Sequence, residues 1–105
     1  MSQLQVLDRP TSLLPAQQHP MTQWVHRFQD ELLAKGNHSP TTVNHYCHDL
    51  DLFVRFLHTF APYIERPHSI TQSEIEAFLN YMALERGNNK TSLRRRLISL
   101  RVFFR

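Results

Sequence analysis

With 105 residues, the chain is long enough for one domain with a modest core, and its hydrophobic fraction of 41% predicts a globular fold. The single cysteine, Cys47, excludes an internal disulfide and makes a cytoplasmic compartment the default. No apolar run approaches the roughly 20 residues that cross a bilayer, and the N-terminus has no signal-peptide pattern, so the sequence predicts no membrane partner.

Positive charge is concentrated at the C-terminal end of the chain. Residues 86–105 carry seven basic residues and no acidic one, so the net charge of +3 for the whole chain leaves −4 for the residues before Arg86. A cationic end on an otherwise acidic chain is typical of a surface that binds a polyanion.

The first 20 residues contain three prolines and little hydrophobic periodicity. We expect them to form a flexible N-terminal tail ahead of a helical domain over residues 21–105. Leu13 and Leu14 could dock on that domain, but disorder is the preferred interpretation.

Hydrophobic periodicity predicts a first helix over about 22–35 and a second over about 40–60. Thr22 is the expected N-cap of the first helix, and Gly36 is expected to end it in the left-handed conformation. Ser39, followed by proline, is the expected N-cap of the second. The buried stripe of the first helix should comprise Trp24, Val25, Phe28 and Leu32, and that of the second Val43, Tyr46, Cys47, Leu50, Val54 and Leu57.

Two more helices are predicted over about 72–86 and 90–105. The third begins with a capping box, in which the side chains of Thr71 and Glu74 each accept a backbone N–H of the first turn. Asn89 is the expected cap of the fourth helix, which contains no stop signal.

The fold class follows from these elements. Four helices, only two glycines and no alternating strand pattern predict an all-α protein. The helices form two helical hairpins, and neither hairpin can bury its apolar face alone. We therefore expect the hairpins to pack on each other as a four-helix bundle.

The outer face of the fourth helix is the first candidate DNA-binding surface. Helical spacing places Arg95 nearly opposite the apolar stripe, with Ser92 and Ser99 on the same outer side, while Arg94 lies on one flank of the stripe and Arg96 on the other. Such a helix can enter a major groove, where Arg95 reads base edges and the flanking cations hold phosphates. The alternative is a merely solvated surface helix. The candidate residues of this helix are Lys90, Thr91, Ser92, Arg94, Arg95, Ser99 and Arg101.

The N-terminal half of the second helix is the other candidate surface. Its residues outside the apolar stripe have hydrogen-bonding side chains suited to phosphate or base-edge contact. They are Thr41, Thr42, Asn44, His45 and His48. An equally good interpretation is that Thr41 and Thr42 merely support the helix cap.

Neither a metal site nor an active site is predicted. His45 and His48 are one turn apart, but converging acidic or thiol ligands are missing nearby, and Cys47 is expected to face the core. The sequence has no glycine-rich phosphate loop, no nucleophile with a matching base and no carboxylate pair on one face. We therefore expect a non-catalytic fragment without a cofactor.

Three segments in this order and spacing resemble the N-terminal core-binding, or SAM-like, domain of the tyrosine recombinases, the phage integrase family. They are Gly36 to Leu50, Ile70 to Leu79 and Arg86 to Phe104, and the resemblance spans residues 24–105. Two features depart from the family pattern. The turn from Gly36 to Ser39 is one residue longer than usual, and Asn89 and Lys90 replace the serine and proline that usually open the fourth helix.

The resemblance implies a four-helix bundle that forms half of a C-shaped clamp on duplex DNA at a recombination site. It also implies that the second and fourth helices approach the major groove. The matching positions are Thr42, Asn44, His45 and His48 on the second helix, and Thr91, Ser92, Arg94, Arg95 and Ser99 on the fourth. Family members carry their tyrosine nucleophile in a separate C-terminal domain. This fragment is therefore expected to bind DNA as a monomer without cutting it, and the full-length protein to assemble with other recombinase protomers.

Two other functions are open from the residues themselves. One is a helical protein-interaction module whose basic helix binds an acidic partner. The other is a helix-turn-helix regulator, which is disfavoured because the helices look too long and the linker over residues 61–69 too extended for that motif.

Overall fold

The computed structural model describes residue 13 and residues 19–104. These residues contain four α-helices, and no strand occurs among them. The helices are α1 (Met21–Lys35), α2 (Pro40–Phe60), α3 (Gln72–Glu85) and α4 (Lys90–Phe104), and a short 3-10 turn (Pro67–Ser69) precedes α3. The prediction of an all-α fold is confirmed, and the helix ends lie within one residue of those expected.

Local capping explains why most of the predicted boundaries are accurate. The Ser39 hydroxyl accepts the N–H of Thr42 at 3.1 Å, with proline in the first helical position of α2. The capping box of α3 is complete, because the Thr71 hydroxyl accepts a first-turn N–H and the Glu74 carboxylate accepts the Thr71 N–H at 2.6 Å. The side-chain Oδ1 atom of Asn89 accepts the N–H of Ser92 at 2.9 Å, as predicted. Each of these signals acts within one turn of chain.

The start of α1 differs from the expectation. Thr22 is not its cap; the helix already begins at Met21, behind Pro20. The side chain of His19 takes the capping role, since its Nδ1 atom accepts the N–H of Met21 at 3.1 Å. At the other end, Gly36 has a φ of +69°, the left-handed conformation predicted for it.

The two helical hairpins share one core, in which α2 is the central helix. It packs against α1 on one side and α4 on the other, and α3 packs against α4. Aromatic rings join the hairpins: Phe78 of α3 lies with its ring centroid 5.2 Å from that of Phe53 and 5.5 Å from that of Phe56. Phe103 of α4 lies 5.3 Å from Phe28 of α1 in the same edge-to-face manner.

Two residues occupy surroundings that the sequence does not predict. Trp24 belongs to the expected buried stripe of α1, yet it is 37% exposed and lies beneath the guanidinium of Arg27, 5.0 Å from the ring centroid. Leu13 lies in the expected flexible tail, yet it is 3% exposed and belongs to the core. The Arg55 guanidinium donates to the Leu13 carbonyl at 3.0 Å. Leu14 and the rest of the expected tail before His19 lie outside the described residues.

Candidate nucleic-acid interface

The N-terminal half of α4 presents most of its predicted binding residues to solvent. Lys90, Thr91, Arg94 and Arg95 are exposed, Ser92 is half-buried, and Arg101 is exposed farther along the helix. None of the nine acidic residues of the chain belongs to α4, so the charged residues that this helix exposes are all cations.

Ser99 and Arg96 are not where helical spacing predicted them. Ser99 was expected on the outer side beside Arg95, but it is fully buried, and Arg96 is only 8% exposed. The buried sector of α4 is rotated toward these two residues because α4 packs there against a carboxylate of α2. The placement of Ser99 on the outer side of the helix is therefore wrong, and its hydroxyl has a partner inside the protein.

That partner is Asp49, a fully buried acid on α2. One of its carboxylate oxygens accepts the Arg96 guanidinium at 2.6 Å and the Arg95 guanidinium at 3.3 Å. The other oxygen accepts the Ser99 hydroxyl at 2.7 Å. Arg96 also donates to the Asn88 side chain at 2.7 Å, which ties the loop between α3 and α4 to the same cluster.

The charges in this cluster are unequal in exposure. Burial lowers the pKa of Arg96, and the neighbouring Asp49 carboxylate opposes that shift. Arg95, in contrast, keeps 48% of its side chain exposed while it contacts Asp49. One carboxylate with two guanidinium groups leaves one net positive charge, and the accessible part of it lies on Arg95.

Sequence reasoning missed Asp49 as a functional candidate, although a signal was present. Asp49 precedes Phe53 by four positions and Phe56 by seven, the spacing that places residues on one helix face. An acidic residue on an apolar face needs a buried partner, and α4 carries a surplus of arginines that can supply one.

On α2, four of the five predicted residues are exposed: Thr41, Asn44, His45 and His48. Thr42 is half-buried and belongs to the helix cap, because its N–H donates to Ser39 and its hydroxyl oxygen accepts the Ser39 hydroxyl at 3.0 Å. For Thr42, the structure therefore favours the capping role that the sequence left open.

Packing brings the two surfaces to one end of the bundle. Contacts between α2 and α4 advance in the same chain direction on both helices, from Asp49 with Arg95 to Phe53 with Phe104. The first turns of both helices therefore lie on the same side of the Asp49 contact. Helix N-termini carry partial positive charge and unpaired N–H groups, so this end is suited to an anionic ligand.

Other kinds of site have no support in the described part of the chain. No group of three or more histidine, cysteine or acidic residues there could hold a metal ion. Cys47 is partly buried, and burial raises the pKa of its thiol, which disfavours the thiolate that binds metals. No helix among these residues has both the length and the apolar character that a membrane span requires.

The helix order and the basic fourth helix define the class: a small all-α domain of two packed helical hairpins. Comparison with family models supports this class, since the model described as "Phage integrase, N-terminal SAM-like domain" matches residues 25–105. The chain therefore belongs to the phage integrase family, the tyrosine recombinases, through this domain. Comparison with curated proteins and with solved structures finds no match.

Proposed function

We propose that this chain is the DNA-binding domain of a site-specific tyrosine recombinase, that it clamps duplex DNA at the recombination site, and that it does not cleave strands by itself. One observation carries the proposal. The first turns of α4, with their exposed cations, and the first turns of α2, with their exposed polar residues, lie on the same side of the Asp49 contact along the two helices. Asp49, the acid that contacts Arg95 and Arg96, is fully buried and does not face a ligand.

The exposed cations and the exposed polar side chains have different proposed roles in DNA binding. Lys90, Arg94 and Arg101 are exposed cations, which hold phosphates and fix the register of the domain on the duplex. Asn44, His45 and His48 present donors and acceptors that fit base edges. Arg95 contributes to phosphate contact from its position above Asp49. Ser99 is removed from the proposed contacts because it is buried.

Strand cleavage and assembly belong to the proposed parent protein. A tyrosine recombinase forms its phosphotyrosyl bond in a separate catalytic domain, and recombination needs several protomers on DNA. The fragment alone is half of the clamp, so its affinity is expected to be weak and its sequence preference small. A covalent adduct between this fragment and a duplex would contradict the non-cleaving assignment.

The first test removes two cations from the proposed interface. The double variant Arg94→Ala with Arg95→Ala should fold, as judged by circular dichroism, and bind a duplex at least about tenfold more weakly at low salt. Because each phosphate contact releases about one counterion, the slope of log affinity against log salt should fall by about 2. A mobility-shift or fluorescence-anisotropy titration over a range of salt concentrations measures both quantities.

A matched control removes two positive charges at positions outside the proposed interface. Arg27 and Arg66 are exposed and lie on α1 and in the linker after α2, outside the proposed interface. Arg27→Ala with Arg66→Ala should leave the salt slope nearly unchanged. Equal losses in the two double variants would mean that only net charge matters, and unchanged binding in the α4 variant would contradict the proposal. If the immobilised domain retains an acidic protein but causes no mobility shift of DNA at low salt, the result would favour a protein-interaction module instead.

A further inference from the structure

We infer that Asp49 is a positioning residue for DNA binding: its buried carboxylate holds the Arg95 side chain in place over the interface before DNA arrives. The inference rests on the proposed DNA-binding function and adds a residue that neither the sequence pattern nor the family match assigns. Asp49 is fully buried and does not touch the ligand, so it acts through Arg95.

The Asp49 carboxylate is held in place by Arg96 and Ser99. Short contacts of 2.6 Å to Arg96 and 2.7 Å to Ser99 fix both oxygens of Asp49 inside the bundle. Arg96 is almost completely buried, so its guanidinium pairs with Asp49 and does not face a ligand. Arg96 alone therefore neutralises the charge of Asp49, and the carboxylate serves as a rigid anchor for Arg95.

Arg95 contacts Asp49 but keeps guanidinium N–H donors available for a ligand. It reaches Asp49 through one nitrogen at 3.3 Å, longer than the contact of Arg96, and almost half of its side chain is exposed. A guanidinium has five N–H donors, so the others remain able to contact a phosphate. Immobilising a long side chain costs conformational entropy, and a side chain already ordered in the free protein loses less of it on binding.

A neighbouring residue provides an internal comparison. Arg94 is exposed on the same turn of α4, and it makes no ion pair or hydrogen bond to a side chain among the described residues. The two arginines therefore carry the same charge at adjacent positions of the helix, and of the two only Arg95 contacts Asp49.

The test is a double-mutant cycle on duplex affinity between Asp49→Asn and Arg95→Gln, measured at a temperature where circular dichroism finds all four proteins folded. With Asp49 present, Arg95→Gln should weaken binding about fivefold, the scale of one phosphate contact at low salt. With Asn at position 49, the same change should cost less than about twofold, because Arg95 is no longer held. The change in net charge caused by Asp49→Asn occurs in both arms of the cycle and cancels.

The control cycle replaces Arg95→Gln by Arg94→Gln, which should cost the same factor with either residue at position 49. An equal cost of Arg95→Gln in the two backgrounds overturns the inference and makes Asp49 a purely structural residue. A larger cost with Asn also overturns it, since Asp49 would then compete with DNA for Arg95. If no variant and no wild-type protein binds a duplex, the proposed function fails, which is a different result from binding without coupling.

A measurement on the wild-type protein applies even if Asp49→Asn does not fold. Nitrogen-15 relaxation of arginine side chains should find the Arg95 Nε–H group more ordered than that of Arg94 in the absence of DNA. Equal mobility of the two groups in the folded free protein would overturn the inference.

Discussion

His19 is a buried base at the start of α1, and its surroundings favour the neutral imidazole. It is 5% exposed, its Nδ1 atom accepts the Met21 N–H, and its Nε2 atom has no hydrogen-bond partner among the described residues. Burial lowers the pKa of His19, and the His58 ring, with its centroid 5.8 Å away, lowers it further. The Ile64 backbone and Glu65 act more weakly in the opposite direction. Protonation of Nδ1 would also remove the acceptor that caps the helix.

This residue predicts a loss of stability in mild acid. Because the pKa of His19 in the folded protein lies below the ordinary value of 6.5, the unfolded chain binds the proton more tightly. The stabilisation is present above pH 6.5 and is lost as the pH falls below that value toward the folded pKa. The free energy of unfolding, measured with urea at pH 7.5 and 5.5, should fall less in His19→Asn than in the wild type, since asparagine can still cap α1. His26→Asn, at an exposed position of α1, should keep the wild-type pH dependence; a similar flattening there would contradict the assignment.

At the scale of single helices, capping decides where each element begins. The α3 capping box is built entirely from residues within one turn, and hydrogen bonds from the Thr71 hydroxyl and N–H lower the pKa of Glu74. Such boxes are readable from sequence because their donors and acceptors are three positions apart. The face that a helix buries is decided differently. The buried sector of α4 follows Asp49 on another helix, and periodicity within α4 therefore misplaced Ser99 and Arg96.

The capping box can be tested without touching the core. Thr71→Ala should lower the free energy of unfolding by about 1 kcal/mol, the usual value of an N-cap hydroxyl. Urea denaturation of the variant and the wild type at neutral pH measures this difference. Ser73→Ala is a suitable control, since the Ser73 backbone N–H, not its side chain, takes part in the cap; its effect should stay within about 0.5 kcal/mol. Equal losses in both variants would contradict the capping account.

In the whole molecule, contacts between residues that are distant in sequence complete the core and fix α4 on α2. The Leu13 carbonyl and the Arg55 guanidinium are 42 positions apart, and the Asp49 carboxylate and the Ser99 hydroxyl are 50 apart. The first contact brings a residue from ahead of α1 into the core. The second fixes the position of α4 on α2, with the first turns of both helices on the same side of that contact.

Leu13 should therefore behave as a core residue. Leu13→Ala truncates a residue that is only 3% exposed and should lower the free energy of unfolding by about 2–4 kcal/mol, the range for a leucine deleted from a core. Leu84→Ala serves as the control, because Leu84 is 82% exposed and its truncation should cost less than about 0.5 kcal/mol. A Leu13→Ala variant as stable as the Leu84→Ala variant would mean that the residues before α1 are a free tail, as the sequence alone suggested.

The number and order of the helices, the all-α class and the concentration of cations on the fourth helix can be predicted from the amino-acid sequence. These properties depend on residue types and on interactions within one helical turn, which a linear pattern records directly. Three features depend on the packing of the helices: Asp49 lies buried at the contact with α4, Ser99 faces inward and Leu13 joins the core. Burial of a polar side chain depends on which distant residue supplies its partner, and that pairing exists only after the helices have packed.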